Sequence, residues 1–192
     1  MVMIFAGGHI SGAHYNPAVT LGVWIRGACS TLDAGFYLVA QVIGAIVASL
    51  AAASLLGHGS SPAASTVTAA QVMLAEALGT FALVYTVLNV ATAPATSGNS
   101  FYGLAIGFTV FAQAVAVGKI SGGAFNPAVA IGVAVLGLAN GANVWIYWLS
   151  EFLGAGIAAV LFLVVNQEKL REPSAASDDS AQQQTNQSIR AV

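Results

Sequence analysis

Charge is the scarcest commodity in this sequence. Five Lys or Arg and seven Asp or Glu make up 6% of 192 residues, where an average soluble domain carries roughly 25%. Residues 1–165 hold only Arg26, Asp33, Glu76, Lys119 and Glu151. A surface so thinly charged cannot solvate a globule, which excludes a soluble enzyme and a nucleic-acid binder. Cysteine is almost absent too. Cys29 stands alone, so neither an intrachain disulfide nor a Cys metal cluster is possible, and it reads as a buried, inert thiol. The three His residues lack metal-ligand spacing. No nucleophile–base pair or phosphate loop appears, so nothing calls for an enzyme, a cofactor or a metal. Met1–Ala6 is apolar but has no basic start, unlike a cleavable signal peptide.

What the sequence does have is hydrophobicity, at 57% of residues, in long runs that do not alternate. Four runs reach the roughly 17–25 residues that span a bilayer as helix: 34–56, 71–91, 101–117 and 143–165. The expected class is therefore an all-α membrane protein. Between the runs, 58–66 and 92–100 are rich in Ser, Pro and Gly and read as loops. From 167 to 192 the chain turns polar and reads as a disordered tail. Gly103 with Gly107, and Gly44 with Ala48, are small pairs four apart that suit close helix packing within one bundle.

The chain also repeats itself. HISGAHYNPAVTLGV (9–23) aligns without a gap on KISGGAFNPAVAIGV (119–133), with nine of 15 positions identical at an offset of 110. The register continues: Gly44 falls on Gly154, Ala45 on Ala155, Ala48 on Ala158, and Gln41 on Glu151. Three spans separate the two motifs. An odd number of crossings makes them face the membrane from opposite sides, as in the inverted repeats of transport proteins. The second unit reads span, span, motif, span. Matching it leaves the first unit roughly 40 residues short at its front, so the chain reads as N-terminally truncated, a naturally shorter variant being the other reading.

Each motif is a helix start. Asn16 and Asn126 suit the N-cap, and Pro17 and Pro127 the first helical position, where a missing N–H is harmless. The apolar stretches that follow, to about Trp24 and Leu136, are too short to span and must lie in a protein cavity. Two inverted half-helices then meet near the midplane. Each N-terminus carries about half a positive charge, which repels cations and protonated water. The two Asn amides would donate to a passing water and so break its proton wire. The approaches Ile10–Tyr15 and Ile120–Phe125 are expected to be extended, with carbonyls lining the lane.

These motifs resemble the signature loops of the major intrinsic protein family, the aquaporins and glycerol facilitators. LAEALGTF (74–81) resembles the start of the family's fourth helix. The resemblance implies six tilted helices and two re-entrant half-helices, of which residues 1–166 hold four helices and both halves. It also implies four pores per homotetramer and cytoplasmic termini. Arg26, Lys169 and Arg171 then fall inside and Lys119 outside. The pore residues it implies are Asn16, Pro17, Ala18, Asn126, Pro127 and Ala128. The visible selectivity filter is Ala114, Gly123 and Val129, where the family usually has Arg at the last position. Without that Arg the filter should be wide and apolar. A passive channel for water and small neutral solutes such as glycerol, urea or ammonia is the reading that follows. A non-conducting membrane fragment or scaffold, and a proton-coupled secondary transporter using Glu76 and Glu151, are the alternatives.

Ionisable groups inside spans default to function. The resemblance gives Glu76 the role of bracing a loop through backbone N–H bonds. Glu151 stands where the family often has Pro and is expected to be a matching brace. His14 reads as a packed, hydrogen-bonded loop residue. His9 lies near a mouth, and Trp145, Tyr147 and Trp148 read as interface anchors.

Overall fold

The computed structural model describes residues 1–60 and 66–166. The tail, with Lys169 and Arg171, lies outside the described residues, as does part of the 58–66 loop. Seven α-helices occur among the described residues: α1 (Val2–Ser11), α2 (Pro17–Ile25), α3 (Thr31–Leu56), α4 (Ala69–Ala91), α5 (Tyr102–Ser121), α6 (Pro127–Val135) and α7 (Val144–Val165). Short 3-10 turns at Pro94–Thr96 and Gly141–Asn143 precede α5 and α7. Four helices have the length and apolarity to cross a membrane: α3, α4, α5 and the run Gly141–Val165.

Local sequence sets the boundaries. Ser30 caps α3 by accepting from Asp33 N at 3.1 Å. Thr68 and Gln71 form a reciprocal capping box at the start of α4. The third span runs on to Ser121 rather than stopping near 117, because its C-cap is Gly122 in the left-handed region (φ 89°). α1 likewise runs to Ser11 and ends at Gly12 (φ 73°). Ile10, Ser11, Ile120 and Ser121 are therefore helical, and only the few residues before each Asn are extended. Cys29 is half-buried at the turn between α2 and α3, not in the core.

The offset of 110 is reproduced in the backbone. α2 and α6 begin and end at matching residues, and α1 matches the last ten residues of α5. The core lies where α2, α4 and α7 meet, around Val19, Val84, Leu88, Ala155, Ala159 and Phe162. Lipid gives helices no hydrophobic reason to associate, so close approach must do it. α4 and α7 form the most extensive helix pair. At Gly154 an added Cβ would lie 2.3 Å from Ala77 O, so the two backbones touch there. Gly103 and Gly107 likewise receive Phe5 and Met1 of the α1 segment, whereas Gly44 on α3 faces open space. α3 buries only Ser49 among its 26 residues.

Candidate functional site

The two Asn-Pro-Ala segments come together although they are far apart in sequence. Asn16 is extended (φ −156°, ψ 119°), and its Oδ1 accepts from Ala18 N at 2.8 Å and Val19 N at 3.4 Å. Asn126 is extended too, and its Oδ1 accepts from Ala128 N at 3.0 Å. Each oxygen thus caps its own half-helix. Each amide nitrogen crosses to the other half: Asn16 Nδ2 donates to Phe125 O at 2.8 Å, and Asn126 Nδ2 to Tyr15 O at 2.9 Å. One hydrogen of each amide is therefore committed to the facing loop, and the other is not.

The accepting carbonyls belong to residues in a strained conformation. Tyr15 and Phe125 both have φ 48°, in the left-handed region, which costs a non-glycine residue about 1–2 kcal/mol. The crossing bonds offset that cost. The two side chains differ in surroundings. Phe125 is 1% exposed and sits against Gly79 of α4, whereas Tyr15 is 46% exposed.

Two carboxylates hold the second loop. Glu76 on α4 accepts from Ala124 N at 3.0 Å through Oε1 and from Phe125 N at 2.6 Å through Oε2. Glu151 on α7 accepts from Asn126 N at 2.9 Å through Oε1. Both side chains are 0% exposed. In the first loop a neutral cluster stands instead. Thr20 Oγ1 donates to Asn16 O at 3.1 Å and accepts from Gln41 Nε2 at 3.0 Å. His14 Nδ1 lies 3.2 Å from the same hydroxyl, and its ring packs edge-on against Tyr37. Because that hydroxyl has only one hydrogen, the contact requires the Nδ1–H form of His14.

Sequence reasoning missed one symmetric pair. Tyr37 Oη donates to Ser11 O at 2.9 Å, and Tyr147 Oη to Ser121 O at 2.7 Å. Each ties the end of one helix to the span beyond its half-helix. The offset of 110 relates all four residues and was the signal available. Trp148, expected only as an interface anchor, donates from Nε1 to Pro127 O at 3.0 Å.

Two cavities flank the crossing. One, of about 480 Å³, is lined by Ser11, Tyr37, Gln41 and Val129 among others. The other, of about 820 Å³, is lined by Val19, Leu83, Val87 and the 92–99 loop, with His9 at its edge. His14, Tyr15 and Asn126 line both, so the cavities meet where the half-helices begin. Asn16 lines the second only. Of the three filter residues expected from sequence, Val129 is 40% exposed and faces the first cavity, while Ala114 and Gly123 line neither. Among the described residues no three His, Cys, Asp or Glu side chains are grouped to hold a metal.

Comparison with known proteins places the chain in a family. The family model described as "Major intrinsic protein" matches residues 1–162. A rice protein (Oryza sativa subsp. japonica) named probable aquaporin TIP2-2 is 37% identical over 185 residues, covering 92% of this chain and 72% of its own length. Probable aquaporin TIP1-2 of the same plant is 38% identical over 169 residues, covering 85% and 66%. Aquaporin TIP1-1 of Arabidopsis thaliana is 38% identical over 167 residues, with the same coverage of 85% and 66%. The chain spans about two thirds of the length of these curated relatives. Paired half-helices in register, four membrane-length helices and a family match over most of its length lead to one assignment: the chain belongs to the major intrinsic protein family, whose aquaporins are channels and not enzymes, and is an integral membrane protein.

Proposed function

We propose that residues 1–166 form a channel unit that passes water, and small neutral solutes with it, while holding back ions and protons. The observation that carries this reading is the crossed pair of Asn side chains, each capping its own half-helix and donating to the loop of the other. Both half-helix N-termini are thereby fixed beside the junction of the two cavities. Their partial positive charges oppose a cation there without hindering water. Each Asn keeps one free N–H. A water molecule that accepts it turns its own hydrogens away from the junction, and the proton wire is interrupted.

Val129, with its apolar and half-exposed side chain, supports the passage of solutes larger than water. The names of the relatives, all aquaporins, support water as the principal permeant. Four such units in one assembly with cytoplasmic termini, as the resemblance implies, would place α2 and its Arg26 on the inner side.

Stopped-flow light scattering on vesicles containing the protein tests the reading. Shrinkage faster than that of empty vesicles in a sucrose gradient supports a water channel. Rapid re-swelling in glycerol adds solute passage. Shrinkage at the rate of empty vesicles, from protein shown to be folded and inserted, refutes it for this chain.

A further inference from the structure

We propose that Glu76 and Glu151 share one proton, so that the pair sets a single negative charge against the start of α6 and Glu151 donates from Oε2 to Glu76. Ala124, Phe125 and Asn126 present three consecutive backbone N–H groups, which occupy three of the four carboxylate oxygens. The fourth, Glu151 Oε2, is buried with no hydrogen-bond partner among the described residues. Glu76 and Glu151 accept from adjacent backbone N–H groups, those of Phe125 and Asn126, so the two carboxyls stand side by side. Two ionised carboxylates this close, both out of solvent, would repel each other and leave one anionic oxygen bare. A single proton removes both penalties, because it supplies the missing donor and cancels one charge.

No charged or titratable neighbour offers another way out, and Thr80 Oγ1, buried one turn beyond Glu76 on α4, makes no hydrogen bond to either carboxyl. Arg26 donates to Thr92 Oγ1 and Thr92 O and lies over Phe162, near the far end of α7. Lys119, in the last turn of α5, is exposed. Tyr147, the titratable neighbour on α7 itself, gives its hydrogen to Ser121 O. The internal repeat makes an independent case. The residue that matches Glu151 is Gln41, a neutral side chain whose amide donor is in use on Thr20, while its Oε1 is buried without a hydrogen-bond partner among the described residues. A protonated Glu has the same shape and the same two functions. Both halves of the molecule then carry a neutral acceptor-donor group at this position.

The consequence for conduction rests on the channel reading; the protonation does not. Two full negative charges would outweigh the half-positive end of α6 and attract cations to the junction. A shared proton halves that charge while keeping all three loop bonds. Glu151 is thus a positioning residue that acts through Asn126.

Infrared difference spectroscopy on the protein in lipid vesicles, with exchange from H2O to D2O at neutral pH, tests this directly. The expected result is a protonated-carboxyl band in the parent that disappears in both E151Q and E76Q. In E76Q the amide nitrogen gives up one of the two loop N–H bonds and is free to donate to Oε2 instead, so Glu151 ionises. A parent without the band, or a band that survives in either variant, overturns the proposal. A parent that conducts nothing refutes the channel reading and leaves the spectroscopic answer intact.

Discussion

Gly154 is where the packing of the two longest-engaged helices can be tested with one methyl group. A Cβ placed there would lie 2.3 Å from Ala77 O, 3.1 Å from Phe81 N and 3.2 Å from Ala77 C. All three are backbone atoms of α4, which cannot rotate aside as a side chain could. An ordinary C···O contact is about 3.3–3.6 Å, so Gly154→Ala must push α4 and α7 apart by roughly 1 Å. A gap of that size forfeits a quarter to a half of each dispersion contact along the seam. Overpacking of this kind costs about 1–3 kcal/mol, and a backbone obstacle puts it near the upper end. The better helix propensity of Ala returns about 1 kcal/mol. The net loss of about 2 kcal/mol should lower the melting temperature by about 4–8 °C for a chain of this size. Gly156 is the control, two residues away on the same helix, with nothing within 4 Å of its Cβ position. Gly44, the register partner of Gly154 on α3, is a second control with equally open surroundings. Thermal unfolding in detergent, followed by differential scanning fluorimetry, should show G154A falling while G156A and G44A stay level or rise. If G154A is tolerated as well as G156A, the account of α4–α7 contact is wrong.

Asn126→Ala should remove both a cap and a crossing bond, lower stability by about 1–2 kcal/mol, and slow water flux in vesicles; unchanged flux would detach the crossing from conduction. Glu76→Ala strips the half-buried Ala124 N–H and the buried Phe125 N–H of their acceptors, at about 1–3 kcal/mol for the buried one, and should abolish the monodisperse peak in size-exclusion chromatography. Thr20→Val keeps the volume but leaves Gln41 Nε2 without its acceptor, and a loss of about 1–3 kcal/mol should appear in the melting curve; no shift would mean that the cluster contributes nothing. Val129→Arg should reduce glycerol flux more than water flux, and equal losses would count against an open apolar filter.

The half-helix starts were the most legible part of this molecule. Asn followed by Pro fixes an N-cap and a first helical residue whatever surrounds them, and the same pattern at an offset of 110 placed both pieces to within a residue. The ends of α1 and α5 were less legible. The Ser-Gly run before each motif reads as extended, yet the helix continues through Ser and stops only where glycine adopts positive φ. Tyr147 illustrates a different limit. An aromatic at the head of a span has an interfacial reading that needs no partner, so its bond to Ser121 emerges only when Tyr37 and Ser11 are set beside it. The expected filter is a set of residues rather than a place. Ala114, Gly123 and Val129 sit on three separate stretches of chain, and spacing from a motif says which stretches they are but not that they converge. Glu151 was legible as an expensive burial, whereas the oxygen left without a partner appears only in three dimensions.

The crossed amide bonds also set a schedule for biogenesis. Asn16 cannot reach Phe125, nor Asn126 reach Tyr15, until the ribosome has made some 110 further residues, about 6–20 s at 5–20 residues per second. During that interval α2 lacks α7, and the strained carbonyl of Tyr15 has no donor. The first half-helix must therefore wait in the translocation machinery or at the membrane surface, and settle only when the second half arrives. Substitutions that weaken the crossing should then show themselves first as chains degraded during synthesis, before any mature molecule is formed.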